Sequence, residues 1–359
     1  MLIVDLAGNH YEMGYQHGSK LIHYRPGLLR LIAEYHQMFA LYPHDVLNRI
    51  TDEVTNLLLI YSPQTIDMLK GIADSFTVPL KDIFLIRIAS YIEDGFSPNP
   101  KSQDQDGECT TWAISTPKSR QNRIILAKNR DFLILIKGLQ VIFRCKTKGK
   151  FEYFSINSIG SCNVSSSGIN AAGFAIADTR VPSLDVGLGL PRFSLMMHIL
   201  ENFSSVREVI DFLKSVPRMG GGNLIFADAK GDIGKAEVGF ESLEITQKDI
   251  GYVVSTNHFE GPSIREKYRR KGEEEEKHSR YRYEKVTQTL SNVSEGMDLD
   301  DAIKLMSHHG EKFAICRHSS NTGFKKTATI SSTIFLPERK GFYHCEGFPC
   351  EEIFQWISF

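Results

Sequence analysis

The apolar pattern of this chain changes period near residue 109, and that change limits the folds open to it. Before it, apolar residues recur at helical spacing. Val46, Leu47, Ile50, Val54, Leu57 and Leu58 form one stripe. Ser62 and Pro63 stand as N-cap and first helical residue before Ile66, Met68, Leu69 and Ile72, and Pro79 opens a third stripe through Ile83, Phe84, Ile86 and Ile88. Residues 1–96 are therefore expected to be mainly helical, with a strand as the alternative for the first few. From Cys109 onward, short runs rich in β-branched and aromatic residues predict strands at 109–115, 123–128, 139–146, 151–156, 174–178, 223–228, 235–239, 243–247, 252–256, 328–336 and 341–345. Pro337 to Gly341 reads as the hairpin loop between the last two. Helices are predicted near 191–202, 205–215, 264–291 and 299–308, and Ser205 with Glu208 matches a capping box. Strands thus come in groups with helices between the groups, which favours α+β layers over a regular βαβ alternation.

The junction itself carries chemistry. Ser97 to Gly107 is turn-rich and charged and reads as an exposed loop, whereas Cys109-Thr110-Thr111-Trp112 begins a strand. A cysteine at such a junction becomes a new amino terminus if the Glu108–Cys109 bond is cut. It then carries its own base, because a free α-amine titrates at about 7.7–8.0 and a thiol at about 8.5. That is the arrangement of an N-terminal nucleophile. The plain alternative is a small buried hydrophobe, the usual fate of a free cysteine.

Bulk properties narrow the classes. The 359 residues suffice for a large core, and 42% hydrophobic with 24% charged residues is ordinary globular composition. A formal net charge of −1 gives no field for nucleic acid or anionic membrane, so neither is expected as a partner. Cysteines 109, 145, 162, 316, 345 and 350 contain no CxxC pair and no zinc spacing, and at this density reduced thiols and a cytoplasmic location are expected. The start, Met1-Leu2-Ile3-Val4-Asp5, lacks the basic region of a signal peptide.

Other constellations each have two readings. Asp131, after Lys128-Asn129-Arg130, either orients the amine of a processed Cys109 or satisfies turn amides. Asn257, just past the run Gly251 to Val254, either aims its amide at a developing oxyanion or sits in a turn. His258 invites a Cys–His pairing but reads equally as structural. Arg282, in the basic aromatic segment Ser279 to Lys285, either holds a carboxylate or pairs at the edge of the core. Gly220-Gly221-Gly222 lacks the Gly-Lys-Ser/Thr of a phosphate loop and reads as a turn or a close backbone approach. Glu273 to Glu276 read as a solvated face. His308-His309 lacks the i, i+4 spacing of a helical zinc pair, so no metal and no cofactor are expected.

Taken in order, Gly8…Glu12-x-Gly14-x-x-x-Gly18, Cys109-Thr110-Thr111, Asn129-x-Asp131, Gly168-Ile169-Asn170-x-x-Gly173-Phe174-Ala175, Asn223 to Asp228, Ser255-Thr256-Asn257-His258 and Ser279-x-x-Arg282-Tyr283 resemble the acyl-coenzyme A:6-aminopenicillanic acid acyltransferase family of N-terminal-nucleophile hydrolases. More distantly they are similar to choloylglycine hydrolases, penicillin V acylases and acid ceramidase. The resemblance spans nearly the whole chain. It implies a four-layer αββα sandwich of two stacked antiparallel sheets with a mainly helical N-terminal segment. It also implies a proenzyme that cuts itself into 1–108 and 109–359, the two pieces remaining associated. Carried over, Cys109 is the nucleophile and its amine the base, Asp131 holds that amine, Asn257 donates to the oxyanion, and Arg282 lies near the site. Asn170 belongs to a motif that is mostly architectural. Two positions depart from the pattern. Glu108 stands where the penicillin enzyme has glycine, and Lys128 where bile-salt hydrolases and acid ceramidase carry arginine.

The expectation is therefore a self-processing amidohydrolase or acyltransferase acting on linear C–N amides, with a small amide or acyl substrate and acyl-coenzyme A as one candidate acyl donor. The rivals are an unprocessed Cys109–His258 thiol hydrolase and a non-catalytic scaffold that binds an acyl or peptide ligand.

Overall fold

A computed structural model of the chain describes residues 1–96, 109–115, 124–162, 164–269, 272–293, 296–318 and 327–359. The loop before Cys109 and Glu108 itself lie outside the described residues.

The N-terminal segment is a short strand, β1 (Ile3–Ala7), followed by α1 (His10–Lys20), α2 (Arg25–Phe39), α3 (His44–Tyr61), α4 (Pro63–Phe76) and α5 (Leu80–Phe96). The helical stripes face inward: α3 buries Leu47, Ile50, Val54 and Leu58. Ser62 does cap α4 in sequence position, yet its hydroxyl pairs with Thr65 Oγ1 at 2.9 Å instead of a backbone N–H. The glycines of α1 have a packing reason. A Cβ on Gly14 would stand 2.2 Å from the Met68 carbonyl oxygen, and one on Gly71 2.2 Å from that of Tyr11, so α1 and α4 touch backbone to backbone.

The remainder supplies β2 (Thr110–Ser115), β3 (Ile124–Leu133), β4 (Gln140–Lys146), β5 (Tyr153–Ser158), β6 (Ser167–Asn170), β7 (Ala175–Arg180), α6 (Arg192–Asn202), α7 (Val206–Ser215), β8 (Gly222–Ala227), β9 (Ile233–Val238), β10 (Leu243–Lys248), β11 (Gly251–Ser255), α8 (Glu273–Ser291), α9 (Leu299–Met306), β12 (Thr327–Leu336), β13 (Gly341–Glu346) and β14 (Gln355–Ser358). Among the described residues they form an eight-stranded sheet, β1-β4-β5-β6-β7-β8-β9-β10, and a six-stranded sheet, β11-β2-β3-β12-β13-β14. Strand alternation sorts the side chains into layers. On β8, Ile225 and Ala227 face the other sheet while Leu224 and Phe226 face the N-terminal helices and α6–α7. On β3, Ile124 and Leu126 face the eight-stranded sheet while Ile125 and Ala127 pack under α8 and α9 beside Val286, Leu290 and Met306. The architecture is α+β in four layers, helices–sheet–sheet–helices.

Three expectations need correction. The implied antiparallel sheets are not wholly so, because β1 runs parallel to β4. A parallel neighbour requires a long crossover, and here the whole helical segment and the first strands of the other sheet intervene. Strands β6 and β14 went unforeseen; each has only four residues. The helix foreseen over 264–291 is a single turn at Arg265–Lys267 and then α8, whose N-cap Gly272 is extended and whose first turn carries Glu273 to Glu276, suited to the positive end of the helix dipole. The Ser205–Glu208 capping box and the hairpin around Pro337 are as read.

Candidate active site

Cys109 immediately precedes β2. Thr110 pairs with Asn129 across β2–β3, so Cys109 lies alongside Arg130 and Asp131, and its Sγ contacts the Asp131 carbonyl oxygen at 3.7 Å. The thiol opens into a cavity of about 160 Å³, room for a small organic group rather than one water. Its walls come from α2, α5 and α6 on one side and from β3 and β7 on the other. Burial raises the Cys109 thiol pKa, and Asp131 and Asp178 add to this, against the opposing pull of Lys128. In the intact chain the thiol is thus held protonated.

Lys128 Nζ reaches Asp178 Oδ1 at 2.8 Å and also the Asp178 carbonyl, while Arg192 Nε reaches Asp178 Oδ2 at 3.4 Å. Burial alone would raise the Asp178 pKa, but the two cations hold it below the usual carboxylate range. Arg180 pairs with Asp94 at 3.1 Å and Glu93 at 3.4 Å. Arg130 and Arg87 differ from these. Arg130 donates to the Asn157 carbonyl at 3.0 Å and Ser158 Oγ at 2.7 Å, and Arg87 donates to Ser161 Oγ at 2.5 Å, all neutral acceptors. Burial lowers both guanidinium pKa values, that of Arg130 to about 10.

Asp131 is fully buried on β3, where Thr329 Oγ1 donates to its Oδ1 at 2.7 Å. Opposite it, β12 carries a bulge at Ile330: Thr329 faces Asp131 and Ser331 faces Arg130. The extra residue turns its carbonyl to Gln140 Nε2 and the Gly347 N–H. Asn129 Nδ2 donates to the carbonyls of Met306 and Ile315, which ties α9 and its following loop to β3.

Arg282 connects the remaining parts. It is fully buried on α8 and donates through Nη1 to the Cys109 carbonyl at 2.6 Å and Thr110 Oγ1 at 2.9 Å, and through Nη2 to Asn257 Oδ1 at 2.9 Å. Asn257 Nδ2 donates to the Arg180 carbonyl at 2.8 Å, and its backbone N–H to Ser279 Oγ at 2.9 Å. A guanidinium on one side and a carbonyl on the other fix which end of the Asn257 amide is the donor. Asn223 Nδ2 bonds the carbonyls of Thr256 and His258 and so shapes the turn that presents Asn257. Asn170 spans a turn, accepting from the Ala172 and Phe174 N–H groups and donating to Leu200 and Phe203, which fits its architectural reading.

Cys109, Asp131, Asn257 and Arg282 are therefore brought together. Of the four, Cys109 lines the cavity and the others stand behind it. His258 is drawn elsewhere: its Nδ1 lies 2.8 Å from Ser279 Oγ and its Nε2 2.9 Å from Glu260 Oε1, and it is not on the cavity wall. Sequence reasoning missed Arg87, Arg130, Asp178 and Arg192. Lys128-Asn129-Arg130 was noticed as a run, but nothing local marks Asp178 or Arg192 as its partners. The triple glycine does permit close approach: Gly220 and Gly221 have positive φ, and their carbonyls accept from Arg192 Nη1.

The fold is thus an α+β arrangement of two β-sheets with an N-terminal helical region, and a cysteine at the head of an inner strand opens into its cavity. Residues 117–350 match the profile of the acyl-coenzyme A:6-aminopenicillanic acid acyl-transferase family, and the chain belongs to that family. The matched span begins after Cys109. Comparison with curated proteins gives no match. Among solved structures, the chain is similar to a conjugated bile acid hydrolase from Clostridium perfringens (13% identity, 70% of this chain and 97% of that one, TM-score 0.47). It is also similar to a Caenorhabditis elegans N-acylethanolamine-hydrolyzing acid amidase ortholog (14%, 64% and 93%, 0.45) and to penicillin V acylase from Agrobacterium tumefaciens (13%, 70% and 86%, 0.44). Among the described residues no helix is long and apolar enough to cross a membrane.

Proposed function

We propose that the protein is a self-processing cysteine amidohydrolase or acyltransferase whose nucleophile is Cys109. The observation that carries this reading is the Cys109 thiol at the head of β2, facing a cavity and flanked by Lys128 and Asp131. In the precursor, Sγ attacks the Glu108 carbonyl. The C–N bond breaks as the C–S bond forms, and the nitrogen takes the thiol proton. Water then cleaves the thioester, leaving a Glu108 carboxylate, a free thiol and a free Cys109 amine. In turnover the same thiol attacks the substrate acyl carbon and the amine moves the proton to the leaving nitrogen. Asp131 holds that amine. Asn257 donates to the oxyanion, and Arg282 is its positioning residue, joining Asn257 Oδ1 to the Cys109 carbonyl. Water or a second amine resolves the acyl-enzyme, and acyl-coenzyme A is the donor to test first for transfer.

The cavity supports a substrate class as well. Phe132, Leu133, Ile136, Phe193 and Met196 offer an apolar wall for an acyl group, and Arg87 and Arg130, bonded to neutral acceptors, favour a substrate that also bears a carboxylate. Because β1 is hydrogen-bonded to β4, a cut at 108 leaves the two pieces joined through the eight-stranded sheet.

Intact-mass measurement tests the premise. Cleavage is expected to give fragments of 108 and 251 residues, about 12 and about 28 kDa when mass is shared evenly, and Cys109→Ala a single chain. A wild-type chain that stays whole while hydrolysing amides would rule out the N-terminal nucleophile and favour an unprocessed thiol.

A further inference from the structure

We propose that His309, Cys316, His318 and Cys350 form a four-coordinate zinc site, on the outer side of the six-stranded sheet and separate from the Cys109 cavity. One ligand atom from each lies within 4.8 Å of all the others. Cys316 Sγ and Cys350 Sγ are 3.5 Å apart, and His318 Nε2 lies 3.2 Å from Cys350 Sγ and 3.7 Å from Cys316 Sγ. With Zn–S near 2.3 Å and Zn–N near 2.0–2.1 Å, the edges of a regular tetrahedron are roughly 3.3–3.8 Å. These three separations fall at or within about 0.1 Å of that range.

The donor set suits the ion. Two thiolates and two imidazoles neutralise a divalent charge, and a mixed sulfur–nitrogen tetrahedron selects zinc over magnesium or calcium. All four positions are filled by protein, so the site is structural and not catalytic. Cys316 is buried while the other three are exposed, which leaves a path for the ion. Behind His318, Glu351 Oε1 stands 3.7 Å from Nδ1, and the imidazole stacks on Phe348 with centroids 3.8 Å apart, so its Nε2 is turned toward the sulfurs.

The fold brings these residues together from two loops. After α9 the chain turns back on itself: Gly310 N–H bonds the Phe313 carbonyl, Ile315 N–H bonds the His308 carbonyl, and His309 bridges Ala314. That turn sets His309 over Cys316. Cys350 arrives after β13, and Ser307 Oγ donates to the Pro349 carbonyl at 2.9 Å, which joins the loops. A disulfide between Cys316 and Cys350 is the competing chemistry, but it needs an S–S length near 2.05 Å and gives no reason for two imidazoles to converge on the sulfurs. The spacing rules applied to the sequence look for close pairs, and this set is spread over 309–350, so it escaped them.

The site would pin the backbone of residues 316–318. Arg317 N–H donates to Thr329 Oγ1 at 2.8 Å, Thr329 N–H returns to the Arg317 carbonyl at 2.9 Å, and the same hydroxyl donates to Asp131. Zinc therefore braces the strand position that holds Asp131.

The test uses the full chain, purified with reductant, and measures zinc by elemental analysis and Co(II) uptake by visible absorption. One zinc per chain and a tetrahedral Co(II) spectrum with thiolate charge-transfer bands are expected. Cys350→Ser and His318→Gln, both at exposed positions, should weaken Zn(II) binding at least tenfold with unchanged far-UV circular dichroism, while His308→Gln binds as wild type. Metal uptake by reduced wild type no greater than that of Cys350→Ser, an octahedral Co(II) spectrum, or a Cys316–Cys350 disulfide in protein isolated with its thiols blocked would each overturn the proposal.

Discussion

The two walls around Cys109 are built differently. On the six-stranded sheet, Arg282 of α8 fixes the Cys109 carbonyl, Thr110 Oγ1 and the Asn257 side chain that follows β11, and Thr329 of β12 donates to Asp131, each by a directed hydrogen bond of 2.6–2.9 Å. Toward the eight-stranded sheet, the cavity is lined by apolar side chains mixed with cations, some paired to Asp178, Glu93 and Asp94 and two bonded to neutral groups. The first wall suits charge development at a fixed point. The second suits recognition of a bound molecule. Lys128 and Arg130, both on β3, cross between them. The proposed function therefore predicts that reaction and recognition are separable by mutation.

The largest effect is expected on the first wall. Asn257→Ala should lower kcat by about a hundredfold or more, as for loss of an oxyanion donor, with KM little changed. Because the substitution also removes the Arg282 acceptor, the melting temperature must be measured alongside. A folded variant with normal turnover would take Asn257 out of the mechanism and blur the contrast between the walls. On the second wall, Arg87→Met should raise KM about tenfold for an amide bearing a carboxylate, equivalent to about 1.4 kcal/mol. It should leave kcat and cleavage at 108 unchanged. Equal losses for charged and neutral amides would show that Arg87 serves packing and not recognition.

The same division explains what was legible in the sequence. Period changes in apolar residues revealed the helical segment and the strand groups, and the Ser205–Glu208 spacing revealed the capping box, because each is a local pattern. The candidates Cys109, Asp131, Asn257 and Arg282 were found through ordered motifs; the structure joins Cys109 and Asn257 through the Arg282 guanidinium and sets the Asp131 carbonyl against the Cys109 thiol. Strand β6 was hidden because Ser167-Gly168-Ile169-Asn170 has one strand former, Ile169, set between the strand-poor Gly168 and Asn170. The second wall was invisible for another reason: Asp178 meets Lys128 across 50 residues and Arg192 from a separate helix, and no spacing rule reports such a meeting. The parallel pairing of β1 with β4 likewise depends on a crossover longer than any sequence window.

The smallest effect on catalysis lies away from both walls and tests whether the helical layer acts on stability alone. His17, on α1, is fully buried against Phe143 and Phe76, and its Nε2 accepts the Gly160 N–H at 3.0 Å. Burial, aided by Arg87, lowers its pKa to about 3. The unfolded chain binds that proton near pH 6.5. Above about pH 6.5 both states are neutral and the contribution is fully present. As pH falls toward 3, the unfolded state gains a proton that the folded state refuses, so stability declines by up to about 1.4 kcal/mol per pH unit from this residue. Below about 3 both states are charged and the decline stops. His17→Gln keeps an acceptor for Gly160 but cannot titrate. Urea midpoints measured from pH 7 to 4 should therefore fall less steeply in the variant than in the wild type, while kcat at neutral pH is the same. Parallel slopes would mean that His17 is protonated with little penalty in the folded protein. A change in neutral-pH kcat would mean that the α1 layer reaches the Cys109 site after all.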